Sequence, residues 1–351
     1  MSEITKYNFV FFGTPEFAAI ILDKLINAGF IPQAVICNPD QPVGRKKIIT
    51  PPPVKAKIMN YKLRIKNQIE ILQPEKLDKT FHDSLFLLHN SSFDFFIVAA
   101  YGKIIPKEIL EIPHLGTIGI HPSLLPKLRG PSPIQTTILN AKEKTGVTLF
   151  LLDEKIDHGP IISQRQLENQ ELRITPVEYL QSKNSTGQVN YEELNTKLAD
   201  LGADLLIETL PKWLKGEIKP IEQNEAEASY TKMIRKEDGE INLQKETAEE
   251  IDRKIRALNP EPGTYIRITN NELRIKNVKI LRANLVSIDD NDDKISPSRR
   301  KIGNFLIQNQ RLYLKTKKGV LEIEILQPEG RNPINAKDFI NGYLRRNQSG
   351  F

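Results

Sequence analysis

Apolar residues along this chain follow two different rhythms, separated by a polar stretch at residues 212–231. In the first rhythm, short apolar runs alternate with helical patterns. Asn8-Phe9-Val10-Phe11-Phe12 leads into Gly13-Thr14-Pro15-Glu16, and Phe17, Ile20, Ile21 and Leu25 then recur at helical spacing. This predicts strand, tight turn and helix, with Thr14 as N-cap and Pro15 at the first helical position. Further strands are expected at Gln33–Cys37, after Gly29, at Phe93–Ala100, before Tyr101-Gly102, and at Val147–Leu152. Strands alternating with helices imply right-handed crossovers and a mainly parallel sheet, hence an α/β, Rossmann-like first domain. Ligands of such sheets bind beyond the carboxyl ends of the strands. Those ends are Gly13–Glu16, Ala100–Gly102 and the run starting near His121.

From Lys212 the periodicity fades through Gly216-Glu217-Ile218-Lys219-Pro220 and a polar run, Glu222–Glu227, which reads as a linker. Beyond it a helix is expected at Ala248–Leu258. Short β-rich runs follow at Gly263–Ile268, Val278–Ala283, Asn304–Ile307, Arg311–Thr316 and Val320–Leu326. That spacing predicts a small barrel or sandwich. The division is then a first domain at 1–211, a linker at 212–231 and a second domain at 232–351. Two strings recur, Leu-Arg-Ile-Lys-Asn at 63–67 and 273–277 and Ile-Glu-Ile-Leu-Gln-Pro-Glu at 69–75 and 323–329, too briefly and unevenly for a structural repeat.

Composition adds boundaries. At 351 residues the chain exceeds one hydrophobic core, so two domains are the default. No apolar run approaches the roughly 20 residues of a membrane span. Met1–Lys6 lacks the basic head of a signal peptide, so a cytoplasmic location with no membrane partner is expected. One cysteine, Cys37, excludes an internal disulfide framework, and five scattered histidines predict no Cys/His metal cluster. Cys37 reads as a buried small hydrophobe in preference to a nucleophile. The net charge of +6 is uneven: residues 232–351 hold 24 Lys and Arg against 17 Asp and Glu, whereas residues 1–231 hold 26 against 27. A basic second domain suits a polyanion such as nucleic acid, or is simply a solvated basic surface.

The densest chemical signal is His121-Pro122-Ser123-Leu124-Leu125-Pro126, continued by Lys127-Leu128-Arg129-Gly130-Pro131-Ser132-Pro133-Ile134-Gln135. A histidine that closes a strand and enters a proline-stiffened loop has a nearly fixed backbone, as a positioned acid or base requires. Taken alone, such a histidine is more often structural. Asp153-Glu154-Lys155-Ile156-Asp157-His158-Gly159-Pro160 places Asp157 in a turn, where an aspartate commonly caps backbone amides. Gly44-Arg45-Lys46-Lys47 is by itself an ordinary solvated loop.

Together, the strand-end histidine with SLLP, the RGPSPIQ tail, the stretch TGVTLFLLDEKIDHGPI and the opening FFGTPEFA resemble the folate-dependent formyltransferases. Asp40–Lys47, Ser229–Ile241 and Leu326–Arg331 extend the resemblance from about residue 8 to about residue 344, and over that length it is to the methionyl-tRNA formyltransferase family. The resemblance implies that 10-formyltetrahydrofolate donates a formyl group to the α-amino group of initiator methionyl-tRNA. It implies His121 and Asp157 as the catalytic pair, and Ser123, Leu124, Leu125 and Pro126 as lining of the folate site, which Ala100, Tyr101 and Gly102 adjoin. Arg45, Lys46 and Lys47 would grip the tRNA acceptor end, and the second domain would be an OB-like β-barrel on the acceptor arm. No metal is expected, and the chain is expected to act as a monomer.

Such a transfer needs a neutral amine, a donor for the developing oxyanion and a proton relay to the departing folate nitrogen; an imidazole and a carboxylate suffice for the last two. An α-amino group, with an ordinary pKa of about 7.7–8.0, is already a nucleophile once deprotonated, so no covalent intermediate is required. No G-x-S-x-G elbow surrounds Ser123. One position departs from the family, which usually has Asn two residues before the histidine where this chain has Gly119. Loss of one oxyanion donor costs roughly two to three orders of magnitude in turnover, so either another group substitutes or the enzyme is slow. Apparent extra length at Tyr61–Gln68 and a polar stretch at Gln181–Asn190 read as longer surface connections. Two other functions stay open: formyl transfer to a nucleotide sugar, with the second domain serving dimerisation, and tRNA or folate binding without efficient catalysis.

Overall fold

The computed structural model describes residues 7–44, 46–62, 69–87, 92–168, 188–268, 276–286, 301–302 and 305–344. The chain divides into two compact units: Met1–Pro133 with Lys144–Glu168 and Glu192–Lys232, and Ile134–Glu143 with Asn169–Tyr191 and Met233–Phe351.

The elements up to α6 run β1 (Phe9–Gly13), α1 (Glu16–Asn27), β2 (Ala34–Ile36), β3 (Gln41–Val43), β4 (Ile48–Thr50), α2 (Pro53–Lys62), β5 (Glu70–Leu72), α3 (Lys79–Leu87) and β6 (Phe95–Ala99). They continue with α4 (Lys107–Leu110), β7 (Thr117–His121), α5 (Pro133–Leu139), β8 (Gly146–Leu151), β9 (Ile161–Gln166) and α6 (Tyr191–Leu214). Strand order in the main sheet is β5-β2-β1-β6-β7-β8-β9. The first five strands are parallel, and β8 and β9 run antiparallel at one edge. All five residues of β1 are buried, as expected where both faces of a parallel sheet are covered, and this explains its unbroken apolar run. Phe12 sits at the centre of one layer, its ring 5.5 Å from those of Phe96 and Tyr101. The register puts Gly13 level with Ala99 and Ala99 level with Ile120, so His121 projects one residue beyond its neighbours at the carboxyl edge.

One expectation is corrected at the first turn. The cap of α1 is Pro15, with no side-chain hydrogen bond, and not Thr14. The Thr14 hydroxyl donates instead to the Tyr101 carbonyl at 3.3 Å and accepts the Asn38 N–H at 3.3 Å, tying the ends of β1, β2 and β6 together.

The second unit includes α7 (Ala248–Leu258), whose start carries a reciprocal capping box between Thr247 and Glu250. Its strands are β10 (Thr264–Arg267), β11 (Asn277–Val286), β12 (Lys301–Ile302), β13 (Phe305–Gln308), β14 (Arg311–Lys315), β15 (Val320–Pro328) and β16 (Ile334–Asn335), followed by α8 (Ala336–Phe339). They form one antiparallel sheet in the order β10-β11-β15-β14-β13-β12, with β16 on β15. The pairing of β11 with β15 is interrupted by a register shift at Ile280–Ala283. Ile251, Ile255 and Leu258 of α7 are buried at helical spacing, and Phe305 meets Phe339 at 5.4 Å in the core. No helix among the described residues is long and apolar enough to cross a membrane.

Cys37, just beyond β2, is fully buried, and that burial pushes its thiol up to about 11, more than the nearby Lys55 ammonium offsets. At pH 8 a thiol with that pKa is about 0.1% ionised, against roughly a quarter for an ordinary cysteine. Alkylation of the native protein by iodoacetamide at pH 8 is therefore expected to be at least about a hundredfold slower than in urea, followed by mass spectrometry; equal rates would contradict the burial.

Candidate active site at the carboxyl edge of the parallel sheet

His121 ends β7 and is 6% exposed. Its Nε2 lies 2.9 Å from the Leu128 carbonyl oxygen. A carbonyl only accepts, so Nε2 carries a proton and Nδ1 is the nitrogen left for chemistry. Nδ1 lies 3.6 Å from Asp157 Oδ2, close enough to share a proton through a reacting group and too far for a good direct hydrogen bond. Asp157 is anchored by the Gly130 N–H, which donates to Oδ2 at 2.7 Å. The two residues singled out for catalysis are thus brought together from loops 36 positions apart in the chain.

The loop after His121 is held largely by its own polar groups. The Ser123 hydroxyl donates to the Lys127 carbonyl at 2.6 Å, while the Ser123 carbonyl accepts from Thr148 Oγ1 at 2.6 Å. Thr148 Oγ1 also accepts the Leu125 N–H at 3.0 Å, and Gln164 Nε2 donates to the Leu125 carbonyl at 2.6 Å. Ser123 and Leu125 are buried; Leu124 and Pro126 are half-buried. On the neighbouring strand end, Ala100 is exposed at φ 45° and Gly102 has φ 82°. Tyr101 turns its ring into the apolar core, where burial pushes its hydroxyl up to about 12. Lys46 and Lys47 are exposed at the tip of the β3–β4 hairpin beside Val43, Ile48 and Ile49, which are also exposed; Arg45 lies outside the described residues.

Residues that pattern reasoning missed complete the site. Arg129 has 0% exposure, and its five N–H groups are all engaged. Nε and Nη2 donate to Gln223 Oε1 at 3.1 and 2.8 Å, Nη1 and Nη2 donate to the two oxygens of Glu225 at 3.0 and 2.6 Å, and Nη1 also reaches the Tyr230 hydroxyl at 3.1 Å. Glu225 holds the guanidinium above its usual pKa, and Arg129 holds the Glu225 carboxyl below the usual carboxylate range. His158 bridges from Asp153, at 2.6 Å, to Glu225, at 3.5 Å. The segment that read as a linker therefore packs within the first unit: Ile221 pairs with Ile161, and the Arg129 main chain bonds to Ser229 and Thr231. Its polar residues are partners of a buried cation, which composition alone does not distinguish from solvation. No group of three or more His, Cys, Asp or Glu able to hold a metal ion occurs among the described residues.

A family model described as formyl transferase matches residues 6–210, and one described as formyl transferase, C-terminal domain, matches residues 233–344. A methionyl-tRNA formyltransferase of Enterococcus faecalis is 36% identical over 335 residues, covering 95% of this chain and 95% of that protein. The chain belongs to the methionyl-tRNA formyltransferase family. The formyltransferase of that name from Thermodesulfovibrio yellowstonii is 36% identical over 334 residues, again 95% of each. The fold is shared more widely: HypX from Aquifex aeolicus in complex with tetrahydrofolic acid aligns at a TM-score of 0.57 and 15% identity, over 95% of this chain and 48% of that one.

Gly119, two residues before His121, pairs directly with Phe150 on β8 and faces the same side of the sheet as His121. Its φ is not in the left-handed region, so backbone conformation does not call for glycine. Space is tight: a Cβ here would collide with Leu152 Cδ1 and lie 2.5 and 2.7 Å from Phe150 Cε1 and Cζ, so these two side-chain ends would have to shift. The space beside Gly119 is filled by an aromatic ring and an aliphatic side chain. Gly119→Asn alone is expected to lower stability by roughly 1–3 kcal/mol through overpacking, without raising kcat. In urea unfolding, Gly119→Asn combined with Phe150→Ala should lose less than the sum of the two single changes. A tenfold rise in kcat for Gly119→Asn would show instead that the ring yields and that only the amide was wanting.

Proposed function

We propose that this protein transfers the formyl group of 10-formyltetrahydrofolate to the α-amino group of methionyl-tRNA, with His121 and Asp157 managing the proton. The observation that carries the acceptor assignment is the match along the whole chain, 36% identity over 95% of both proteins. In the reaction one C–N bond forms to the methionyl amine as another breaks to the folate nitrogen, and one proton moves from the first nitrogen to the second. Asp157, with Oδ2 already oriented by the Gly130 N–H, suits removal of the amine proton. His121, fixed through Nε2 by the Leu128 carbonyl, presents Nδ1 to the same space. With no amide at position 119, His121 Nδ1, when it carries a proton, is the donor for the developing oxyanion. A nucleophilic side chain is not called for, and the Ser123 hydroxyl is already used on Lys127.

The folate is read onto the loop Ser123–Pro126 and the turn Ala100–Gly102, which leave adjacent strands β7 and β6. The tRNA acceptor end is read onto the β3–β4 hairpin with Arg45, Lys46 and Lys47. The basic second unit is read as an OB-like barrel on the acceptor arm, a reading supported by the register shift in β11, since such bulges coil a sheet. Both catalytic groups come from one chain, consistent with a monomer.

His121→Ala and Asp157→Ala are each expected to slow single-turnover formylation of charged initiator tRNA at least about a hundredfold; near-normal rates in either variant would sink the pair. Changing Arg45, Lys46 and Lys47 together to Ala should raise the apparent KM for tRNA and flatten its salt dependence, with the KM for folate unchanged. The opposite pattern, folate affected and tRNA not, would mean the hairpin serves the donor.

A further inference from the structure

We infer that Gln223 is a positioning residue that sets the distance between His121 and Asp157, an inference that rests on their reading as the catalytic pair. The amide of Gln223 is 9% exposed and uses its whole hydrogen-bonding capacity. Oε1 accepts from Arg129 Nε and Nη2, at 3.1 and 2.8 Å. Nε2 donates to the Asp157 carbonyl at 2.9 Å and to the Gly159 carbonyl at 2.8 Å. One side chain therefore clamps two loops. The first contains Leu128 and Gly130, on either side of Arg129, whose carbonyl and N–H are the anchors of His121 Nε2 and Asp157 Oδ2. The second contains Asp157 itself.

Both loops need such a clamp. Leu128 has φ 60° and Asp157 φ 49°, conformations that cost a side-chain-bearing residue about 1–3 kcal/mol and persist only where the surroundings over-determine them. Released, each loop would relax by a backbone rotation, and the 3.6 Å spacing of the pair would go with it. A misplacement of about 1 Å between reacting groups can cost a hundredfold in rate. Glu225 and Tyr230 also grip the guanidinium, and Glu225 meets the His158 side chain at 3.5 Å, yet among the described hydrogen bonds of Arg129's side-chain partners only those of Gln223 reach the main chain of the Asp157 loop.

The test is a double-mutant cycle on the full-length protein, read as single-turnover rate constants at saturating formyl donor and charged tRNA, which do not depend on the fraction of folded enzyme. Gln223→Glu keeps an acceptor for Arg129 and loses both donors to the Asp157 loop. It is expected to lower the rate at least tenfold, with KM for either substrate within about threefold. In a His121→Ala background the same change should cost no more than about threefold, because the geometry it protects has lost its purpose. Gln223→Met, of similar length and without hydrogen bonds, carries the same cycle if Gln223→Glu does not fold. Equal losses in both backgrounds would show a merely structural role and overturn the inference, as would an unchanged rate in the single variant. A near-normal rate in His121→Ala alone overturns the underlying pair, and is distinguishable because it involves no change at Gln223.

Discussion

A guanidinium removed from water must find an acceptor for each of its five N–H groups, and the site of this protein is organised by that demand. Arg129 is fully buried, and none of its side-chain partners is local: Gln223, Glu225 and Tyr230 lie 94–101 residues further along the chain. Satisfying the cation ties the segment around 221–232 into the first unit and fixes the backbone of Arg129 through Ser229 and Thr231. The residues flanking Arg129 are then no longer free, and these are the ones whose carbonyl and amide orient the imidazole and the carboxylate. The relative placement of His121 and Asp157 thus follows from solvating a charge with protein groups.

The position of Gly119 shows how packing constrains chemistry from the other side of the ring. Phe150 and Leu152 occupy the space beside β7, so any side chain there competes with the core for volume. A side chain at position 119 requires the Phe150 ring and the Leu152 side chain to shift. In this chain the space beside position 119 is held by side chains of the hydrophobic core.

Much of the fold is legible in residue pattern. The apolar runs of β1, β2, β6 and β8 appear within two residues of their observed bounds, and α7 spans the predicted Ala248–Leu258. Such elements are encoded by local periodicity and burial, which a single sequence displays. His121 stands out by its place at a strand end before a proline-stiffened loop, whereas Asp157, in an ordinary-looking turn, is singled out only by the family resemblance. Thr14 was misread because its hydroxyl bonds across strand ends and not along its own helix. The segment around Gln223 was misread for a related reason: hydrogen-bonded burial and solvation select the same residue types, and only long-range pairing separates them. The unusual glycine was evident from the sequence, whereas its cause lies on the next strand, in the register that sets Gly119 opposite Phe150.

The wide separation of Arg129 from its partners also has a consequence in time. At synthesis rates of about 5–20 residues per second, the 94 residues between Arg129 and Gln223 take roughly 5–20 s to be made. During that interval β1, β6 and β7 already exist, while the cation meant for burial still lacks its acceptors and must stay in water. The carboxyl edge of the sheet therefore remains open on the growing chain and closes late, when the returning segment arrives.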